Sequence, residues 1–260
     1  MNLIECLKKN GMYIPNYNEV SIVDLMKIIY SYCGYSENIE NTNMNIEKYV
    51  KNKKHILLIL IDGMGSNLVD SLSDSMLLKQ KRIKDLQTVC PTTTGCVLTS
   101  IATTKMPAIH GMIGWYNYNR DKKVDYYPLL FKERKTGKYL KEFGIKEKDI
   151  YLYDSVMNKL NRKTKALLPN SIVNSTFSQF MLNKNRIGYE NLEDAFKKIT
   201  NNIKENINIP TFTYLYLPYV DKLSHYNGVN SSEVKAFLES FEYEIRKLKE
   251  DDIENLEIVI

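Results

Sequence analysis

Four side chains in three separate segments of the sequence are of the types that bind divalent metal ions or attack phosphorus. They are Asp62, Thr94, Asp221 and His225. Carboxylate oxygens and imidazole nitrogens are common ligands of zinc and similar ions. A threonine hydroxyl becomes a nucleophile when a metal, a base or local positive potential lowers its pKa. In combination these groups predict most of a two-metal site for phosphate esters with a hydroxyl nucleophile.

Asp62 directly follows the apolar segment 55–61 (HILLILI), which predicts a strand buried on both faces. Open α/β sheets build their sites beyond the carboxyl ends of such strands. Gly63 and Gly65 strengthen the prediction, because glycine allows a ligand or another backbone to approach closely. Asp-Gly also forms ordinary turns, so Asp62 taken alone is as compatible with a structural role as with a functional one.

Thr94 lies between Pro91 and a predicted helix over 95–103. The unpaired N–H groups at the start of a helix attract negative charge. They could therefore lower the pKa of the Thr94 hydroxyl and also hold a phosphoryl oxygen. The alternative is that the threonines at 92–94 only cap the helix, and that interpretation is favoured when the segment is taken alone.

Asp221 and His225 follow a predicted strand over 211–217 (TFTYLYL). Four residues apart, they would share one face of a helical turn and could bind one divalent ion. A match to this spacing by chance is common. Of the two other histidines, His110 is predicted to be structural and His55 to be partly exposed and inert.

The elements that must position these residues alternate between strand and helix, which predicts an α/β fold with a mostly parallel sheet and helices on both faces. Residues 1–260 are interpreted as a single domain, with a Tyr-rich insertion or cap at about 114–185. Asn230 and Glu233 resemble a capping box before the last helix. Strands are predicted at 55–61, 86–90, 211–217 and 253–260, and helices at 20–32, 66–78, 95–103, 193–203 and about 231–248.

Composition and charge indicate which classes of binding partner suit this protein. The net charge of +5 arises from 36 basic and 31 acidic residues, which suits small anionic substrates but not a nucleic-acid polymer. The sequence has neither an apolar run long enough for a membrane span nor a signal architecture, so we expect a cytoplasmic location and no membrane partner. The four cysteines fit no zinc or disulfide framework. The oligomeric state is left open.

The motifs together resemble one known family. The segments 61–63 (IDG), 91–114 (PTTTGCVLTSIATTKMPAIHGMIG) and 218–228 (PYVDKLSHYNG) are similar to the nucleotide pyrophosphatase/phosphodiesterase branch of the alkaline phosphatase superfamily. The resemblance implies two divalent ions, usually zinc, one bound by Asp62 and the Thr94 oxygen and the other by Asp221 and His225. It further implies that Thr94 attacks phosphorus and that water hydrolyses the resulting phosphothreonine. The implied partner is a small phosphate ester, including nucleotides.

Two departures from the family pattern lead to further expectations. The pattern includes another Asp-His pair and a last His, both after the position of the final predicted strand, so the domain is expected to be incomplete at its C-terminus and to lack part of its metal site. Family members also carry an Asn that holds a phosphate oxygen where this sequence has Trp115, with Asn117 two residues on. Trp115 could stack on a base or aryl leaving group, or form an inert hydrophobic lid.

The sequence therefore predicts a phosphodiesterase-type hydrolase and leaves two alternatives. One is a phosphomonoesterase or phosphotransferase of the same superfamily. The other is a noncatalytic binding protein that keeps the fold.

Overall fold

The computed structural model describes residues 3–11, 15–16, 18–36 and 46–260. The strands in these ranges are β1 (His55–Ile61), β2 (Asn117–Asn119), β3 (Val124–Tyr127), β4 (Lys132–Glu133), β5 (Lys163–Pro169), β6 (Arg186–Tyr189), β7 (Thr211–Leu217) and β8 (Leu256–Val259). The α-helices are α1 (Leu3–Lys9), α2 (Ile22–Tyr32), α3 (Glu47–Val50), α4 (Ser66–Asp70), α5 (Leu77–Gln80), α6 (Thr94–Thr103), α7 (Pro107–His110), α8 (Glu147–Ile150), α9 (Thr176–Met181), α10 (Leu192–Glu205), α11 (Tyr219–Asn227) and α12 (Ser232–Glu250). Short 3-10 helices span Leu140–Phe143 and Val156–Lys159.

The central sheet has five strands in the order β6-β5-β7-β1-β8, and all neighbouring pairs are parallel. Strand β1 pairs with β7 over its whole length, from His55 opposite Thr211 to Ile61 opposite Leu217. On its other side β1 pairs with β8. The predicted parallel sheet is confirmed, and the apolar segments 55–61 and 211–217 form its centre, as expected for strands without a solvent-facing side.

Helices cover both faces of this sheet, as predicted. Successive side chains of a strand point to opposite faces. Accordingly, Ile56 and Leu58 pack in one buried cluster with α2 and α6, whereas Leu57 and Ile59 pack in another with α10 and α12. The second cluster includes the apolar stripe predicted for the last long helix, from Val234 to Leu248.

The prediction of a strand at 86–90 is wrong. Within this segment only Gln87 makes a β-bridge, to Ser21 at the start of α2. The N–H and carbonyl oxygen of Gln87 bond to Val20 and Ile22 at the start of α2, so they do not pair with a strand of the sheet.

Two local predictions about helices are corrected. The single helix predicted over 66–78 is broken into α4 and α5, and Ser71 at the break donates from its hydroxyl to the Leu68 carbonyl oxygen, a bond that competes with helix continuation. The capping box at Asn230 and Glu233 does not form. The N-cap of α12 is Ser231, whose hydroxyl accepts from the Val234 N–H, and valine cannot return a side-chain bond.

Residues 114–185 contain two different kinds of structure. Strands β2, β3 and β4 form a separate antiparallel sheet. Strand β5, in the same range, lies between β6 and β7 in the central sheet, so this part of the range belongs to the main α/β alternation. The single-domain boundary at 1–260 stays a prediction. Among the helices that the structure describes, none is both long and apolar enough to cross a bilayer.

Candidate active site at the carboxyl end of the sheet

The first two predicted segments meet at the carboxyl end of β1. Asp62 follows that strand directly, and Thr94 is the first residue of α6. The Thr94 hydroxyl donates a hydrogen bond to Asp62 Oδ2 over 3.2 Å. The N-cap residue Thr93 makes no capping bond and instead donates to Cys96 Sγ at 3.2 Å. The Thr94 hydroxyl is therefore directed toward the carboxylate rather than used to cap the helix.

The third segment docks on the first through the backbone. The N–H of Asp221 donates to the carbonyl oxygen of Asp62 at 2.9 Å. Between them lies Gly63 with φ +81°, where an added Cβ would stand 2.7 Å from both the N and Cα atoms of Asp221. Glycine is required here both for its positive φ and for the close approach of the two chains, which the sequence predicted for this position.

Asp221 and His225 lie on one face of α11, as predicted. His225 Nε2 is 3.5 Å from Asp221 Oδ1, and their side chains are 77% and 41% exposed, respectively. These two groups are thus open to solvent and to an incoming ligand.

Sequence reasoning missed Tyr216. This residue lies near the end of β7, and its hydroxyl donates to Asp62 Oδ2 at 2.7 Å, although the side chain is only 6% exposed. A buried tyrosine usually finds a hydrogen-bond partner for its hydroxyl. Tyr216 lies one residue before the end of a strand that leads into the site, so this rule could have indicated that its hydroxyl bonds to a group of the site.

The electrostatics of the site favour a cation. Burial raises the pKa of the Asp62 carboxyl, and the nearby Asp221 carboxylate raises it further. Hydrogen bonds from Tyr216, Thr94 and the Gly63 N–H oppose that rise. Because neighbouring carboxylates destabilise each other's charge, a bound cation would relieve the repulsion.

Trp115 lies on the segment that passes the start of α6. A Cβ placed on Gly95, the residue after Thr94, would be 3.7 Å from the Gly114 carbonyl oxygen. The Trp115 side chain is 47% exposed, and its ring makes an edge contact with the Tyr127 ring, with 6.2 Å between the ring centroids and 62° between the ring planes. Asn117 donates from its amide to the Gly111 carbonyl oxygen at 3.2 Å, while its buried Oδ1 atom has no partner.

His110 is structural, as predicted. It is buried, and the Met112 N–H donates to its Nδ1 atom at 3.1 Å. Nδ1 is therefore an acceptor and Nε2 carries the proton, which points to Ser100 Oγ on α6 at 2.9 Å. Burial lowers the pKa of His110 to about 4.

The prediction for His55 is wrong in one respect. The residue is fully buried rather than partly exposed, and its Nδ1 atom lies 2.9 Å from Thr211 Oγ1. Strands β7 and β8 flank it on both sides, which removes it from solvent. It lies at the end of β1 opposite Asp62, consistent with the prediction that it takes no part in the site.

The donors that could hold metal ions occur as two pairs. Asp62 and the Thr94 oxygen form one pair, and Asp221 and His225 form the other. Their carboxylate, hydroxyl and imidazole groups are chemically suited to zinc and similar ions. Among the described residues, no group of three or more His, Cys, Asp or Glu side chains is placed to hold an ion.

Comparison with known proteins assigns the family. The sequence model of the type I phosphodiesterase / nucleotide pyrophosphatase family matches residues 56–256, which include all three site segments. The chain belongs to this family. The match also covers β5, β6 and β7 completely, β1 from its second residue onward, and the first residue of β8.

Solved structures of a family member support the fold. Murine ectonucleotide pyrophosphatase/phosphodiesterase 5 aligns with a TM-score of 0.54 and 14% identity over 78% of this chain. An inactive threonine-to-alanine variant of that murine protein, in complex with AMP, aligns with a TM-score of 0.55 and 13% identity over 80% of this chain. The likeness confirms the alkaline-phosphatase-like α/β fold. The chain spans 55% of the length of each of these proteins. No curated protein sequence matches it.

Proposed function

We propose that this protein hydrolyses phosphoric esters of the phosphodiester or pyrophosphate type, with Thr94 as the nucleophile. Members of the family hydrolyse phosphodiesters and pyrophosphates. The observation that carries the proposal is the hydrogen bond from the Thr94 hydroxyl to Asp62 Oδ2, at the start of α6 and at the carboxyl end of the sheet. It joins a nucleophile, a carboxylate and a helix N-terminus in one place.

The reaction proceeds in two displacements. Thr94 Oγ1 forms a bond to phosphorus while the bond from phosphorus to the leaving oxygen breaks, and the leaving group departs. The hydroxyl hydrogen of Thr94 points at Asp62 Oδ2, so the proton that the nucleophile loses has an acceptor 3.2 Å from Oγ1. Water then attacks the same phosphorus and releases Thr94, which regains a proton. The unpaired N–H groups in the first turn of α6 hold a non-bridging phosphoryl oxygen in both steps.

The proposal includes two divalent ions, with zinc as the expected metal. The Asp62 carboxylate and the Thr94 oxygen would hold one, and Asp221 and His225 the other. When bound, the ions neutralise phosphoryl charge and stabilise the attacking and leaving oxygens. The support in this chain is the donor chemistry of the two pairs, together with the nearby Asp221 carboxylate, which adds to the effect of burial in raising the pKa of Asp62.

A nucleotide is the proposed substrate class. The murine relative is described in complex with AMP. In this chain, the exposed Trp115 ring lies on the segment beside Gly95 and offers a flat apolar surface to a base. Stacking on an aromatic side chain suits every base, because each has a π-face.

The experiment compares Thr94→Ala with Thr92→Ala in the natural protein, because Thr92 is an exposed threonine of the same segment. Turnover of an aryl phosphodiester and of the matching monoester is measured with zinc present, and circular dichroism checks the fold. We expect Thr94→Ala to abolish turnover and Thr92→Ala to retain it. Equal turnover by Thr94→Ala and the unsubstituted protein would refute the proposal.

The same assay separates the alternatives. A higher kcat/KM for the monoester than for the diester would favour a phosphomonoesterase. Tight nucleotide binding without turnover of either ester, unaffected by chelators, would favour a noncatalytic binding protein.

A further inference from the structure

The Asp62 carboxylate receives two side-chain hydrogen bonds on a single oxygen. Tyr216 donates to Oδ2 from 2.7 Å and Thr94 donates to the same atom from 3.2 Å. The shorter bond comes from a residue that has no reactive role in the proposed chemistry. Concentrating both side-chain donors on Oδ2 fixes the rotation of the carboxylate about its Cβ–Cγ bond.

Tyr216 is itself held rigidly. Its side chain is buried in the apolar cluster between β7 and α6. The pairing of β5 with β7 ends at Leu167 and Leu215, one residue before Tyr216. The backbone carbonyl oxygen of Tyr216 instead accepts a 2.7 Å hydrogen bond from the hydroxyl of Tyr189, a buried residue of β6. Tyr189 of β6 thus holds the backbone of Tyr216 from beyond β5, and the Tyr216 hydroxyl in turn holds Asp62 at the end of β1.

We infer that Tyr216 is a positioning residue, which orients the Asp62 carboxylate so that Oδ2 faces Thr94 and the other oxygen is presented to a divalent ion. This inference rests on the proposed function. Carboxylates that bind metal ions are commonly oriented by a second hydrogen-bonding group, and removal of such a group typically lowers metal affinity or activity about 10–100-fold.

The chain offers a matched control for the test. Tyr214 lies two residues before Tyr216 on the same face of β7, is fully buried, and has a hydroxyl without a hydrogen-bond partner. Tyr214→Phe and Tyr216→Phe therefore remove the same atom from neighbouring buried rings. Both keep the ring and its packing, so both variants are expected to fold.

The experiment measures zinc affinity in the natural protein by competition with a chromophoric chelator, the visible absorption of the Co²⁺-loaded protein, and the melting temperature of the metal-free protein. For Tyr216→Phe we expect zinc binding weaker by about 10–100-fold, an altered Co²⁺ spectrum, and a lower kcat with little change in KM. Tyr214→Phe should match the unsubstituted protein within about twofold. Tyr189→Phe should shift zinc affinity in the same direction as Tyr216→Phe, by a smaller factor.

The outcomes separate the two proposals. If Tyr216→Phe and Tyr214→Phe bind zinc equally while Thr94→Ala abolishes turnover, the positioning role is wrong and the proposed function stands. A fall in melting temperature without a change in zinc affinity or Co²⁺ spectrum would also overturn it, because that result indicates a purely structural role. If the unsubstituted protein takes up no divalent ion, both proposals fail together.

Discussion

The backbone N–H of Asp221 donates to the carbonyl oxygen of Asp62 over 2.9 Å, a bond that holds the start of α11 against the end of β1. The contact is possible because Gly63 has φ +81° and no side chain. The close approach of Asp221 to the end of β1 thus requires glycine at position 63.

Substitution of Gly63 by alanine should disturb this junction. The added Cβ would meet backbone atoms of Asp221 at 2.7 Å, and the positive φ would be strained for any L-residue. Gly137→Ala is the matched control, because Gly137 has φ +69° but no atom within 4 Å of its added Cβ. We expect each substitution to cost about 1 kcal/mol or more from backbone strain, with an additional loss of about 1–3 kcal/mol for Gly63→Ala. Denaturant unfolding measures both, and equal losses would argue against the close approach.

The protein should lose stability in acid through His110. The pKa of this residue is lowered from 6.5 to about 4 by burial, so the unfolded chain binds a proton more readily than the folded chain. The contribution of neutral His110 to the free energy of unfolding is complete above pH 6.5 and is lost as the pH falls toward 4. At 1.36 kcal/mol per pKa unit, the loss is roughly 3 kcal/mol. Unfolding curves measured between pH 7 and 4 test this.

His110→Asn serves as the control for that pH dependence. The variant lacks the titrating ring, so its stability should fall less steeply between pH 6.5 and 4 than that of the unsubstituted protein. Parallel curves for the two proteins would show that His110 does not titrate as described.

Trp115 supplies its own reporter, because it is the only tryptophan in the sequence. If a base stacks on it, AMP should quench the protein's tryptophan fluorescence, whereas ribose 5-phosphate should not. Trp115→Ala should weaken AMP binding by about 1–3 kcal/mol, the usual range for base–aromatic stacking. Tyr118→Ala, which removes another exposed aromatic ring, should leave AMP affinity unchanged. Equal quenching by AMP and ribose 5-phosphate would indicate that Trp115 is only a hydrophobic lid.

Metal removal should abolish turnover, and added zinc should restore it. Asp221→Ala and His225→Ala should each lower zinc content per protein, because each removes one donor of the exposed pair on α11. Ser224→Ala is the control, because Ser224 lies in the same helical turn and its hydroxyl has no hydrogen-bond partner. The zinc content of this variant should be unchanged. Elemental analysis of the purified variants gives the answer. Unchanged zinc content in Asp221→Ala and His225→Ala would contradict the assigned pair.

The central strands could be predicted from the sequence because their apolar residues are continuous. A run such as 55–61 or 211–217 is typical of a central strand in a sheet that helices cover on both faces, and each run ends where the site begins. The same reasoning failed at 86–90, where Gln87 and Thr88 interrupt the apolar residues and the backbone of Gln87 bonds to Val20 and Ile22 instead of to a strand.

The candidate site was predictable in its residue types but not in its contacts. Thr94 and Asp62 carry recognisable chemistry, and the structure brings them together. Tyr216 lies in an apolar strand, where its burial indicates that its hydroxyl needs a partner but not which one, since the bond crosses the sheet to a residue 154 positions away. Such long-range hydrogen bonds do not appear in local periodicity or spacing.

The most direct test of the account is to trap the Thr94 intermediate. The zinc-loaded protein is mixed with a phosphodiester, quenched in acid during turnover, digested, and analysed by mass spectrometry. We expect the phosphoryl group, with its retained ester, to be attached to the peptide at Thr94. Attachment to another residue, or continued turnover by Thr94→Ala without any adduct, would contradict it.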